Sequence, residues 1–276
     1  MEEKIKEIEK IKADLLSKNR YTFDDYRKLM YILRAPGGCP WDRAQTHESI
    51  RENFIEETYE VVEAIDNGDR GLLCEELGDV LMQVLLHTEM AEEDGDFTLE
   101  DVVTGSVQKL IYRHPHVFAD GSAKTSAEVL ATWDTLKAAE KHRDTVADGM
   151  RSVPKQLPAL MRAAKVGKKA AKVGFDFPSA AEAAKKIEEE TGEVLTATAD
   201  TLTEEVGDLL FAAVNVARLL GVSPEEALNR ATDKFISRFA AVEAAVTADG
   251  LEMKSLPLDT LDAYWDAVKA KNSENN

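Results

Sequence analysis

The sequence predicts an all-α protein made of two tandem helical bundles, and three observations carry that prediction. Apolar residues recur at helical spacing through long stretches. No segment shows the polar–apolar alternation of a half-buried strand. Prolines number only eight in 276 residues, so little interrupts a helix.

The periodicity is specific. Ile50, Phe54, Thr58, Val61 and Ile65 advance by three and four, as do Leu73, Leu77, Val80, Val84 and Thr88. Val206, Leu209, Ala213, Val214 and Ala217 repeat the pattern in the second half. These are amphipathic helices. Gly68, Gly95, Gly221 and Gly250 fall where such helices should end.

Organisation follows from composition and repetition. Residues 1–22 read as an extra charged helix. A polar, irregular stretch from Glu140 to Pro158 includes Lys141, His142, Arg143, Asp144, Pro154 and Pro158. It marks a boundary, giving an N-terminal domain over 23–145 and a C-terminal domain over 146–276. The halves resemble each other. Glu56-Glu57-Thr58-Tyr59-Glu60 answers to Glu189-Glu190-Thr191-Gly192-Glu193, and Glu76-Leu77-Gly78-Asp79 to Glu205-Val206-Gly207-Asp208. Lys109 and Arg113 answer to Lys234 and Arg238, and Trp133 to Trp265. The order never changes, which points to duplication.

The net charge is −18. A field of that sign repels nucleic acid and acidic membranes, so neither is an expected partner. It does not exclude a phosphorylated small molecule, because bound metal inverts the local sign. No apolar run reaches the length of a membrane helix. The charged start, Met1-Glu2-Glu3-Lys4, lacks the core of a signal peptide, and cytoplasmic residence is the expectation. Cys39 and Cys74 form no CxxC pair and read as reduced thiols.

The chemistry lies in the carboxylates. Residues three or four apart share a helix face. Glu190 and Glu193 do so on one helix, Glu205 and Asp208 on the next. Antiparallel packing brings the four to one place beside the apolar stripe. Four such groups repel unless a cation sits among them, and all-oxygen ligation suits Mg²⁺, Mn²⁺ or Ca²⁺. A triphosphate of charge about −4 added to four carboxylates calls for roughly two or three divalent ions. A di-iron bundle would need Glu-x-x-His, and here the last residue is Asp79 or Asp208. Gly78 and Gly207, each preceding an Asp, cost their helices stability, which predicts close approach of a neighbouring helix or ligand.

Gly38-Cys39-Pro40-Trp41-Asp42, the two EExxE…ExxD sets, Arg113-His114-Pro115-His116-Val117-Phe118 and Val173-Gly174-Phe175-Asp176-Phe177 together resemble the MazG family of nucleoside triphosphate pyrophosphohydrolases, in particular its tandem-domain members. The resemblance covers nearly the whole chain from about Phe23. It implies two MazG-like bundles, a homodimer whose subunits complete each other's sites, and attack of water on a nucleoside triphosphate such as ATP to release pyrophosphate. Carried over by position, Glu190, Glu193, Glu205 and Asp208 become Mg²⁺ ligands, with Mn²⁺ as a substitute. Lys186 and Glu189 flank them, and Lys234, Arg238 and Trp265 close on phosphate and nucleoside. Glu57, Glu60, Glu76, Asp79, Lys109, Arg113 and Trp133 form the matching N-terminal set. Thr201 stands where many members carry Lys, and Phe177 where many carry Trp.

The bare residues agree. Phosphoryl chemistry rests on positioning and charge neutralisation. Lys234 and Arg238 can face one ligand, and Trp265 offers a flat surface to a base. Glu189 is placed to orient or deprotonate the attacking water. Asn215, seven residues beyond Asp208, can donate to and accept from a nucleoside, whereas Leu86, at the matching place in the first half, can do neither. Catalysis is therefore expected mainly in the C-terminal half. A narrower dUTP- or dCTP-type pyrophosphatase and a non-catalytic nucleotide-binding scaffold are the alternatives. Arg162, Lys165, Lys169 and Lys172 read as a solvated stripe, and His87, His114 and His116 as residues of loops.

Overall fold

The computed structural model describes residues 2–119, 121–123, 125–140 and 145–274, which contain no strand. The all-α expectation holds. Contacts divide the chain into two compact units, Met1–Leu136 and Lys137–Asn276. Of the polar stretch expected to separate the domains, Lys141, His142, Arg143 and Asp144 lie outside the described residues.

In the first unit, α1 (Glu2–Leu16) leads into α2 (Phe23–Arg34), short α3 (Pro40–Ala44), α4 (Arg51–Asn67) and α5 (Arg70–Asp94). Helices α6 (Leu99–Arg113), α7 (Pro115–Phe118) and α8 (Ser126–Glu140) follow, α8 running past the division between units. The extra N-terminal helix docks on α2 through Ile8, Ile11 and Leu15 against Tyr31, Ile32 and Ala35. Thr22 opens α2 with a capping box to Asp25, and Thr98 opens α6 in the same way with Asp101.

The hairpin of α4 and α5 is the frame of this unit. Gly68 closes α4 in the left-handed conformation at φ 66°, and the Asp69 carboxylate accepts from the Gly71 and Leu72 N–H groups at the start of α5. A connection that short leaves the two helices antiparallel. Met30, Ile50, Leu85, Leu86, Met90 and Leu99 form the core.

The second unit contains α9 (Val146–Arg151), α10 (Ala159–Ala171), α11 (Ala180–Thr196), α12 (Leu202–Leu219), α13 (Pro224–Ala248) and α14 (Leu258–Glu274). Helix α11 packs along α12, and α10 crosses α12 and α13. Ser179 accepts from the Glu182 N–H and sets the start of α11. Val242, Val246 and Val268 form a core with Leu256, Leu261, Tyr264 and Trp265 around them. Each valine buried there contributes about 1.5–3 kcal/mol.

Gly221 and Gly250 follow α12 and α13 with positive φ, as expected of helix ends. Gly78 and Gly207 differ from expectation: a Cβ at either would meet no atom within 4 Å. Among the described residues no neighbouring helix needs their missing side chains. The apolar stripes are also only partly covered, since Ile65, Leu77 and Val206 remain exposed. No single helix among the described residues is long and apolar enough to cross a membrane.

Candidate active site

Helix α11 carries Glu190 and Glu193, and α12 carries Glu205 and Asp208. Packing of the two helices brings one carboxylate oxygen from each of Glu190, Glu205 and Asp208 within 4.8 Å of the others. Glu193 joins them through a hydrogen bond with Glu190 and lies in the field of Glu205. That hydrogen bond and the negative charge of Glu190 push the Glu193 carboxyl above the usual range. Buried Glu190 is held below it, chiefly by Lys186, whose Nζ lies 2.7 Å away. Three oxygens so close form a hard donor set that fits a divalent cation.

Lys186 also reaches Glu189 at 2.8 Å. The Glu189 carboxylate is exposed on that side and does not line the cleft described next. Glu189, expected to act on the attacking water, is thus tethered to Lys186 and does not face the cleft.

A cleft of roughly 680 Å³ opens beside the acids. Its polar lining is Asp176, Lys186, Glu190, Asp208, Asn215 and Arg218, and its apolar wall includes Met150, Val166, Phe175, Phe177 and Phe211. Charged groups and aromatic surface thus line one cleft. A phosphate chain and a planar base need those two environments.

Asn215 is buried and already engaged. Its Nδ2 donates to the Phe211 carbonyl at 3.2 Å, and its Oδ1 accepts from Arg218 Nη2 at 3.1 Å and from Nε at 3.3 Å. Arg218 donates to both oxygens of Asp176, with Nη1 to Oδ2 at 2.9 Å. This pairing holds the Asp176 carboxyl below the ordinary range. Gly167 on α10 lies against the pair, and a Cβ there would come 3.0 Å from Asn215 Oδ1 and 3.1 Å from Arg218 Nε. Sequence reasoning quoted Asp176 only within a motif and missed Arg218 and Gly167. One signal was present: an arginine interrupts the apolar run from Val214 to Leu220.

Lys234, Arg238 and Trp265 do not line this cleft. Lys234 borders a separate recess on α13 with Glu226 and Arg230. Trp265 packs on Phe235, ring centroids 5.2 Å apart, as part of the α13–α14 core. Arg238, one turn beyond Lys234, is half-buried.

In the first unit the matched acids also assemble. Glu57, Glu76 and Asp79 place oxygens within 4.8 Å of one another, and Glu60 hydrogen-bonds to Glu57 and Glu76. Arg113 lies over the Trp133 ring, 5.7 Å from its centroid, and His114 meets the same ring edge-on at 4.9 Å. Lys109 is exposed one turn earlier on α6. His87 is not a loop residue: it stands inside α5 and its Nδ1 lies 2.7 Å from that of His47. The spacing in sequence gave no sign of that pair. His114 does lie at the junction of α6 and α7, whereas His116 stands within α7.

Comparison with known proteins gives a consistent picture. The model of the MazG nucleotide pyrophosphohydrolase domain matches twice, over residues 45–118 and 177–242. The chain is 46% identical over 248 residues to the nucleoside triphosphate pyrophosphohydrolase of Escherichia coli K12, covering 87% of this chain and 94% of that one. It is 43% identical to the nucleoside triphosphate pyrophosphohydrolase/pyrophosphatase MazG of Thermotoga maritima, covering 90% and 95%. It is also 44% identical to the uncharacterized protein YabN of Bacillus subtilis, covering 90% of this chain and 52% of that one.

Proposed function

The chain belongs to the MazG nucleotide pyrophosphohydrolase family, and we propose that it is an enzyme hydrolysing nucleoside triphosphates to monophosphates and pyrophosphate in the cleft lined by α10, α11 and α12. The observation that carries the reading is the meeting of Glu190, Glu205 and Asp208 beside a cleft that also holds Lys186 and Arg218.

Glu190, Glu205 and Asp208 would hold Mg²⁺, with Glu193 beside them, and Mn²⁺ would substitute. When bound, such an ion polarises phosphate oxygens and makes water a better nucleophile. The remaining work falls to the chain itself. Lys186 neutralises charge on the phosphates. Arg218, held flat by Asp176 and Asn215, fixes the wall of the cleft and keeps one Nη1–H for the nucleotide. Phe175, Phe177 and Phe211 exclude water around the base. This is catalysis by positioning and electrostatics, with no covalent intermediate.

A homodimer is part of the proposal. Leu228, Phe235, Ile236 and Phe239 are exposed on α13, and Val102, Val103, Val107 and Leu110 on α6. Apolar faces of that extent call for cover, and twofold pairing is the commonest way to supply it. A partner's approach is also the remaining way for Lys234 and Arg238 to meet a phosphate.

The test is product analysis. ATP, other NTPs and dNTPs are incubated with Mg²⁺ and the products separated by chromatography. AMP and pyrophosphate from ATP are expected, with no turnover in excess EDTA. ADP and orthophosphate would overturn the reading.

A further inference from the structure

Charge is spread unevenly through the second unit. Between Asp148 and Asp176 the sequence holds seven basic residues and no acidic one, in a chain of 52 acidic and 34 basic residues. No other run free of Asp and Glu is as long. It covers the end of α9, all of α10 and the turn at Gly174, and it supplies Met150, Val166, Ala170 and Phe175 to the wall of the cleft.

Helix α10 has two distinct faces. Val166, Gly167 and Ala170 turn toward the cleft. Arg162, Lys165 and Lys169 step by three and four along a neighbouring face, where Arg162 and Lys165 are exposed. A helix turns about 100° per residue, which puts Arg162 about 40° round from Val166. With side chains a helix is about 10–12 Å across, so each of these cations stands close to the cleft. From sequence the stripe reads as a solvated face; its place beside the cleft is what the fold adds.

Elsewhere in this unit such charges are neutralised. Lys185, Lys186, Arg218 and Arg230 each meet a carboxylate. Among the described residues Arg162, Lys165 and Lys168 form no ion pair. In the first unit α2 packs on α5 as α10 packs on α12, yet α2 carries Asp24 and Asp25, which pair with Lys28 and Lys18. The basic face therefore belongs to the wall of this cleft and not to the bundle as such.

The acids create a need for it. Glu190, Glu193, Glu205 and Asp208, within a chain of net charge −18, repel a triphosphate, which stays anionic at about −2 even with one divalent ion. Charge of the opposite sign beside a cleft raises the rate of encounter by about 10–1,000-fold without touching the ligand.

We propose that the basic face of α10 is a steering surface, which draws the phosphates of the nucleotide toward the cleft against the field of the acids and takes no part in the chemical step. Arg162 and Lys165 are its principal charges. This rests on the pyrophosphohydrolase reading of the cleft and adds to it the surface that governs capture.

The experiment compares kcat and kcat/KM for ATP with Mg²⁺ in the full chain and in its Arg162→Glu, Lys165→Glu variant. At about 10 mM salt, where charges act over about 30 Å, the variant should lose about tenfold in kcat/KM with kcat unchanged. At about 1 M salt, where that reach falls to about 3 Å, the two proteins should converge. Arg162→Gln with Lys165→Gln should show a smaller loss of the same kind, and it serves in place of the glutamate variant if that one fails to fold. Equal kcat/KM at low salt would overturn the proposal. So would a loss that persists at about 1 M salt or that falls on kcat, since a long-range field produces neither. An unmodified chain without turnover would overturn both this proposal and the pyrophosphohydrolase reading, whereas normal turnover with no difference between the proteins overturns this proposal alone.

Discussion

Arg218 on α12 and Asp176, just ahead of α11, form a two-pronged ion pair in the lining of the candidate cleft, and Asn215 accepts two further hydrogen bonds from the same guanidinium. The arginine is buried to within 7% of its side chain, so its direction is fixed before substrate arrives. Arg218→Lys keeps the charge and loses the fork. It should lower kcat/KM for triphosphates by about tenfold or more, with Asp176→Asn showing a similar loss. Steady-state kinetics alongside thermal melts would check this. A lysine variant with wild-type kinetics would contradict the positioning role.

Gly167 gives a finer probe of the same network. Gly167→Ala brings a methyl group 3.0 Å from Asn215 Oδ1 and 3.1 Å from Arg218 Nε. Crowding of this kind costs about 1–3 kcal/mol, while alanine in a helix regains about 1 kcal/mol. The melting temperature should therefore move little while activity falls. A variant with full activity would mean that the network tolerates displacement.

The two acidic sets should contribute unequally to turnover. Glu193→Gln is expected to reduce kcat by about 100-fold. Glu60→Gln should leave it close to that of the unmodified chain. Both proteins should remain folded by circular dichroism. Equal losses on several triphosphates would show that both clefts catalyse.

Glu89 predicts a pH dependence of stability. Burial, followed by the charges of Glu92 and Glu93, raises its carboxyl from 4.5 to about 7. The folded chain then binds the proton more tightly than the unfolded chain, so stability falls as pH rises from 4.5 to 7 and levels off above. Glu89→Gln removes the penalty. After allowance for solvent screening it should stabilise by about 1–2 kcal/mol at pH 8, and by little at pH 5. Denaturant titrations at the two pH values would measure it. An equal effect at both would mean that Glu89 does not titrate in this range.

Light scattering tests the assembly. The uncovered faces of α6 and α13 predict a dimer mass at micromolar concentration. A fully active monomer would refute it.

The fold was legible because helix signals are local. Glycines 68, 95, 221 and 250 take the positive φ that ends a helix, and three-residue spacing was enough to put Glu205 and Asp208 on one face. Pairings distant in sequence were not legible. Nothing in the spacing of Asp176 and Arg218 says that they touch, and His47 and His87 meet only because α4 and α5 fold back on each other. In sequence, Gly78 and Gly207 point to close approach of a neighbouring helix or ligand; among the described residues no atom of a neighbouring helix lies within 4 Å of a Cβ placed at either.

The opposite charges at matching places on α5 and α12 bear on how the two halves can exchange sequence. Repeats within one gene recombine, and similar copies tend to be made more alike. Here a transfer in either direction meets an electrostatic barrier. Glu89 copied into the place of Arg218 would set two carboxylates against each other at Asp176. Arg218 copied into the place of Glu89 would join Arg27 and Arg34, the cations that face Glu89. A hybrid of the halves would meet this conflict whatever its acidic set, which gives the duplicated units a means of staying different.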